Sequence, residues 1–92
     1  LDNLTLTGTA INGTGNQFGN LLIGNAQDNV MVGGLGADEF HGGEGHDILL
    51  AGNFDYSDNA GNTLFGDGGN DQLFGGSFGD TLVGGEGNDY LY

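Results

Sequence analysis

The chain has no lysine, arginine or cysteine among its 92 residues, against 13 aspartates and glutamates and a formal net charge of −13. Without basic side chains it cannot neutralise phosphates, which excludes nucleic acid as a partner and argues against anionic membranes. The absence of cysteine excludes disulfides and thiolate metal sites. No apolar run approaches the roughly 18 residues of a membrane-spanning helix, so we expect no membrane insertion. A bound cation is what could offset the repulsion between the carboxylates.

The amino end, LDNLTL, has neither a methionine nor a signal-peptide pattern, and we interpret the chain as a fragment or processed piece. Glycine, at 22 residues, is abundant; its share is more than three times the average of about 7%. Ordering each residue costs about 1–2 kcal/mol of backbone entropy, whereas one buried Leu or Phe returns about 1.5–3 kcal/mol. We therefore expect a stabilising factor other than a conventional core.

A nonapeptide, G-G-x-G-x-D-x-U-x with U a large apolar residue, fills residues 33–41, recurs in 42–50 and closes the chain in 84–92. Looser copies occupy 66–74 and 75–83, and degenerate ones occupy 15–23, 24–32 and 57–65. In this register residues 51–56 are an insertion, and there are eight repeats.

Position 8 of the repeat is always apolar, which predicts the core. A three-residue strand with its middle residue inward follows from the two-residue alternation of strands, and the six glycine-rich residues before it form the turn. No helical period appears. Residues 1–14 are expected to form an irregular, strand-rich capping segment. The predicted core column is Leu22, Met31, Phe40, Leu49, Leu64, Leu73, Leu82 and Leu91.

These copies resemble the RTX family of calcium-binding nonapeptide repeats, over about residues 15–92. The resemblance implies an all-β fold, a right-handed parallel β-roll (a β-helix or solenoid), in which two nonapeptides make one coil. It also implies several Ca²⁺ ions between stacked turns. A disordered glycine-rich linker is the alternative, but linkers do not keep an apolar residue every nine positions.

In such a roll, alternate repeats stack on the same edge. One edge then carries Asn29, Asp47, Asp71 and Asp89 at position 6, and the other carries Asn20, Asp38, Asn62 and Asp80. We predict tighter sites on the first edge, where aspartates follow one another, and weak or empty sites at Asn29 and Asn20, because an amide does not neutralise the ion.

The predicted metal ligands are the position-6 aspartates and the turn glycines, whose carbonyls can converge where no Cβ intervenes. Each aspartate could instead cap backbone N–H groups. Asp67 could add an outer oxygen. The predicted set is Asp38, Asp47, Asp71, Asp80, Asp89, Gly33, Gly34, Gly36, Gly42, Gly43, Gly45, Gly66, Gly68, Gly69, Gly75, Gly76, Gly84, Gly85 and Gly87.

Two histidines, His41 and His46, raise the question of zinc or catalysis. No H-E-x-x-H motif and no Ser/His/Asp arrangement accompanies them. We interpret both as surface residues and expect no enzyme activity from this segment.

Position 9 is also largely apolar and should point outward, where it predicts a contact surface or merely good strand formers. The open coil at Tyr92 is a second candidate contact. Self-association and neighbouring β-roll domains are the expected protein partners.

Taken together, the sequence predicts a calcium-binding structural or adhesive module of a secreted bacterial protein, at the cell surface or outside the cell. It would fold on Ca²⁺ binding and could assemble into a filament or surface layer. The alternative is the non-catalytic C-terminal roll of a secreted RTX-like protease, lipase or epimerase. A catalytic motif in the sequence before residue 1 would distinguish the two.

Overall fold

The computed structural model describes residues 2–5, 12–15, 19–52, 61–76 and 79–92, with the backbone alone for 2–5. All regular elements in those ranges are strands. They are β1 Asp2–Thr5, β2 Asn12–Thr14, β3 Asn20–Ile23, β4 Val30–Val32, β5 Glu39–His41, β6 Ile48–Leu50, β7 Thr63–Phe65, β8 Gln72–Phe74, β9 Thr81–Val83 and β10 Tyr90–Leu91.

Successive strands alternate between two parallel sheets, in the orders β1-β3-β5-β7-β9 and β10-β8-β6-β4-β2. Repeats two apart therefore pair in register; for example, Phe40 lies between Leu22 and Leu64 in the first sheet. The chain forms a β-solenoid of about four turns. This confirms the predicted all-β, parallel β-roll fold.

The core is the position-8 column. Six of its members are completely buried: Leu22, Met31, Phe40, Leu49, Leu64 and Leu73. Leu82 is partly buried against this cluster, while Leu91 on the last strand is 45% exposed. The core is therefore fully buried from β3 to β8 and is partly exposed to solvent at β9 and β10.

Glycines at positions 2 and 4 of several turns have positive φ angles. Gly45 and Gly69, for instance, have φ angles of 101° and 106°, in the left-handed region that residues with a Cβ avoid. A Cβ on Gly69 would also collide with the backbone of Gly45 in the preceding coil. Asp67, with φ of 69°, is the single non-glycine residue with positive φ in the described ranges.

The predicted insertion lies mostly outside the described residues, which break off at Gly52 and resume at Gly61. The roll continues across it, because the Ala51 N–H donates to the Phe74 carbonyl at 2.9 Å and the Thr63 N–H donates to the Asp38 carbonyl at 2.9 Å. At the amino end, β1 and β2 pair in parallel with β3 and β4. A separate capping role for residues 1–14 stays a prediction.

The outward faces differ between the two ends of the roll. Val32 and Leu50, at position 9, are only 6% exposed although they lie outside the core cluster. Towards the carboxyl end, Phe74 stacks on Tyr92 with ring centroids 4.7 Å apart, and Tyr92 is 66% exposed. Among the described residues, no helix is long and apolar enough to cross a membrane.

Candidate calcium sites

The position-6 residues form two ladders, one on each edge of the roll. On the edge that we call the Asp47 edge, the backbone N–H of each residue donates to the side chain of the next. Asn29 donates to Asp47 Oδ1 at 2.7 Å, Asp47 to Asp71 Oδ1 at 2.8 Å and Asp71 to Asp89 Oδ1 at 2.8 Å. The structure thus brings together the carboxylates that the repeat register predicts as neighbours.

The opposite edge, the Asp38 edge, repeats the pattern with an amide in the middle. Asn20 N–H donates to Asp38 Oδ1 at 2.7 Å, Asp38 N–H to Asn62 Oδ1 at 2.7 Å and Asn62 N–H to Asp80 Oδ1 at 2.8 Å. One oxygen of each side chain therefore caps a backbone N–H, as the alternative interpretation required. It does so between coils rather than within its own turn.

The second carboxylate oxygens of Asp47 and Asp71 are buried. Asp47 Oδ2 and Asp71 Oδ2 are inaccessible to solvent and have no hydrogen-bond partner within the described part of the chain. Leaving a buried polar group unsatisfied costs about 1–3 kcal/mol, and more for a charged one. These two oxygens therefore face a space that suits a cation.

The first glycine of each turn creates that space. A Cβ placed on Gly42 would lie 2.7 Å from Asp47 Oδ2 and 2.6 Å from the carbonyl oxygen of Gly66 in the next coil. A Cβ on Gly66 would lie 2.5 Å from Asp71 Oδ2 and 2.7 Å from the Gly84 carbonyl oxygen. We call each such set a cradle. A cradle consists of the glycine at position 1 of a turn, the carboxylate at position 6 of the same turn, and the carbonyl oxygen at position 1 of the next coil.

A third cradle lies on the Asp38 edge. There, a Cβ on Gly33 would collide with Asp38 Oδ2 and lie 2.6 Å from the Ala51 carbonyl oxygen. At the carboxyl end the cradles are half-built. Gly75 and Gly84 face the carboxylates of Asp80 and Asp89, and among the described residues no strand follows β9 or β10 in its sheet to supply the next carbonyl.

The cradles fit Ca²⁺ in their chemistry. Ca²⁺ takes six to eight oxygens at about 2.3–2.6 Å in tolerant geometry. The cradles offer oxygens alone, and within the described residues no three His, Cys, Asp or Glu side chains converge. The remaining ligands would come from backbone carbonyls and water, as the glycine-rich turns suggest.

Burial and crowding set the charge state of the two central carboxyls. Loss of solvent raises the pKa of Asp47 to about 7, against the lowering effect of the Asn29 N–H, and the negative charges of Asp71, Asp28 and Asp67 raise it further. Loss of solvent raises the pKa of Asp71 to about 6, with a contribution from Asp89. Both carboxyls are therefore protonated more readily in the fold than a carboxyl in water.

Comparison with known proteins agrees with this geometry. The model of one family, the RTX calcium-binding nonapeptide repeat, matches residues 14–53, 60–82 and 74–92, in four copies. The chain belongs to this family. RTX repeats are calcium-binding modules, and a β-roll of RTX repeats alone is non-catalytic in itself. No curated protein and no solved structure matches the chain significantly.

The RTX turn also contains a second ladder that the sequence analysis did not anticipate. Position 5 on the Asp47 edge holds Asp28, His46, Asn70 and Asn88. His46 N–H donates to Asp28 Oδ1, Asn70 N–H to His46 Nδ1 and Asn88 N–H to Asn70 Oδ1, each at 2.8 Å. His46 is exposed as expected, yet its ring nitrogen links two coils. The sequence did contain a sign of this ladder, because position 5 of each repeat on this edge holds a side chain that can accept a hydrogen bond.

Other predicted residues have simpler surroundings. His41 Nε2 lies 3.0 Å from Glu39 Oε2, and its ring stacks on Phe65. Asp67 is exposed and accepts a 3.1 Å hydrogen bond from the Gly43 N–H; its role as an outer ligand stays a prediction. Asn29 forms a reciprocal pair with Asn25, whose N–H donates to Asn29 Oδ1 at 3.0 Å and whose Oδ1 accepts from Asn29 Nδ2 at 3.1 Å.

Proposed function

We propose that this RTX module is a structural element that folds when Ca²⁺ fills the three complete cradles, at Asp38, Asp47 and Asp71. The observation that carries the proposal is the pair of buried Asp47 and Asp71 oxygens, each facing a carbonyl of the next coil across a space that only glycine leaves open. An ion there would satisfy both oxygens and join two coils.

Folding and binding are coupled in this proposal. The chain carries 13 negative charges and no positive ones apart from its amino terminus and histidines, so stacking the turns brings like charges together. Ca²⁺ reverses the sign of that interaction, and an ion that binds only the folded state stabilises it by mass action. Calcium modules of extracellular type bind with Kd of about 10⁻⁴ to 10⁻³ M, which suits a chain exported unfolded and folded outside the cell.

The test is a Ca²⁺ titration of calcium-free protein followed by far-UV circular dichroism, with Mg²⁺ as the control ion. We expect a transition from coil to strand that Mg²⁺ does not reproduce. The variant Asp71→Asn keeps an acceptor for the Asp47 N–H but removes one ligand charge, so it should need several-fold more Ca²⁺. The matched control, Glu86→Gln, removes an exposed charge and should behave like the parent. A full strand spectrum without Ca²⁺ would overturn the proposal.

We further propose that the carboxyl end of the roll is its contact surface. Tyr90, Leu91 and Tyr92 are 63%, 45% and 66% exposed beside the two half-built cradles. A second copy or a neighbouring β-roll domain would cover them and complete the ligand sets of Asp80 and Asp89. This supports a structural or adhesive task outside the cell, including filament or surface-layer assembly. Sedimentation velocity should show association that requires Ca²⁺ and is lost in a Leu91→Ser variant; a monomer at saturating Ca²⁺ would count against it.

A further inference from the structure

One turn of the Asp38 edge does not have glycine at position 1. The position-1 row is defined by backbone hydrogen bonds in which Gly33 N–H donates to Leu50 O, Ala51 N–H to Phe74 O and Gly75 N–H to Tyr92 O, at 2.8, 2.9 and 3.0 Å. Ala51 therefore stands where the row otherwise has glycine. The next position-6 residue along the chain is Asn62, so twelve residues run from position 1 to position 6 here, against six from Gly33 to Asp38.

The methyl group of Ala51 occupies volume that the other turns leave free. Ala51 is completely buried and belongs to the core cluster. A Cβ at the equivalent Gly33 would point between Asp38 Oδ2, the next carbonyl and the Phe40 ring, whose Cζ would lie 2.8 Å away. By the same register, the Ala51 methyl points into the cradle of its own turn.

The position-6 residue of this turn differs as well. Asn62 Oδ1 accepts the Asp38 N–H at 2.7 Å, which orients the amide. Asn62 Nδ2 then donates to Asp80 Oδ1 at 3.2 Å. An N–H group therefore stands where aspartate would present a second oxygen, and it makes to the next carboxylate the contact that an ion would otherwise make.

We propose that Ala51 and Asn62 together keep this cradle free of Ca²⁺, so that the side chains of Asn62 and Asp80 are joined by a hydrogen bond instead of an ion. The proposal rests on the proposed function. It follows that calcium occupancy differs between the edges: consecutive cradles are filled on the Asp47 edge, whereas the Asp38 edge is interrupted in its middle.

The experiment counts bound ions by native mass spectrometry and by equilibrium dialysis, at Ca²⁺ concentrations that saturate the parent. The double variant Ala51→Gly/Asn62→Asp restores a cradle and should bind one more ion than the parent. Asn62→Asp alone keeps the methyl and should not gain it. An unchanged ion number in the double variant overturns the proposal, and a gain by Asn62→Asp alone overturns the role of Ala51.

A second pair of variants tests the same point without rebuilding the turn. Asp80 follows the blocked cradle as Asp89 follows the Asp71 cradle: Asp80 Oδ1 accepts the backbone N–H of Asn62, and Asp89 Oδ1 accepts that of Asp71. Asp89→Asn should therefore raise the half-saturating Ca²⁺ concentration more than Asp80→Asn, and equal effects would overturn the proposal. If the parent itself binds no Ca²⁺, the proposed function fails; if it binds Ca²⁺ and only these contrasts fail, the proposed function stands.

Discussion

The first glycine of each turn is the residue on which the cradles depend most directly. We predict that Gly66→Ala destabilises the calcium-bound roll by about 1–3 kcal/mol, the usual effect of overpacking a tight site. Its methyl would lie 2.5 Å from Asp71 Oδ2 and 2.7 Å from the Gly84 carbonyl. Thermal unfolding at fixed Ca²⁺ measures the effect.

Gly79 provides the matched control, because a Cβ there meets nothing within 4 Å. Gly79→Ala should leave the melting temperature unchanged or raise it slightly, since alanine reduces the entropy of the unfolded chain. If both variants melt at the temperature of the parent, the close approach at Gly66 has no energetic consequence and the cradle is wrongly assigned.

The buried carboxyls predict how the calcium-free chain responds to pH. In the fold, the pKa of Asp47 is raised to about 7 and that of Asp71 to about 6, whereas in the unfolded chain both lose their protons near pH 4. Between these values the folded state holds more protons, so its stability falls as pH rises. Calcium-free protein should therefore show more strand signal at about pH 5.5 than at about pH 8.

Circular dichroism in calcium-free buffer checks this, at pH values above the sequence pI of about 4.1 to limit aggregation. The double variant Asp47→Asn/Asp71→Asn removes both titrating groups and should lose most of the pH dependence. A strand signal that rises with pH in the parent would contradict the assigned pKa directions.

At the level of single residues, the sequence predicted which side chains approach one another. It did not predict that one oxygen of each carboxylate accepts a backbone N–H while the other faces the cradle. The nonapeptide register predicted Asp38, Asp47 and Asp71 as ligands and as neighbours of the next position-6 residue; the structure confirms only that they are neighbours. The different roles of the two oxygens could not be predicted, because they depend on hydrogen bonds between residues that are 18 or 24 positions apart in the sequence. The place of Ala51 at position 1 was not predicted either, because the extra residues that follow it led us to assign residues 51–56 to an insertion.

Each of the strands β3 to β8 contributes one completely buried apolar side chain, so the core is narrow and has little redundancy. We predict that Leu49→Ala, at a completely buried position, destabilises the calcium-bound roll by about 2–5 kcal/mol. Leu91→Ala, at the 45% exposed end of the same sheet, should have a clearly smaller effect. Calcium-saturated thermal melts compare them, and equal losses would mean that the last coil is covered in solution.

The strands themselves were predictable because two constraints agree at every repeat: an apolar residue every nine positions and a glycine-rich turn before it. No comparable pattern in the sequence determines how exposed the outward-facing residues at position 9 are. The burial of Val32 and Leu50 therefore could not be foreseen from their repeat position, which in the same sheet leaves Tyr92 exposed. Neighbouring strands and the end of the roll, rather than the local pattern, decide exposure there.

For the whole molecule, the proposed function predicts that folding depends on a divalent ion and not on ionic strength, given the net charge of −13 and the narrow core. The folded chain has a radius of gyration of 11.4 Å, whereas an unfolded chain of about 100 residues has one of about 30 Å. Sodium chloride screens repulsion between exposed carboxylates, but it screens buried pairs much less and supplies no ligand for their oxygens.

Small-angle X-ray scattering can separate these effects. We predict that millimolar Ca²⁺ compacts the chain towards the folded radius, while NaCl at matched ionic strength only shrinks the expanded coil, since screening lowers repulsion without satisfying Asp47 and Asp71. Full compaction in NaCl alone would mean that diffuse repulsion, and not the cradles, keeps the chain unfolded. Compaction specific to Ca²⁺ would instead mean that most of the stabilising free energy comes from ions bound at a few buried oxygens, in the space that the position-1 glycines leave open.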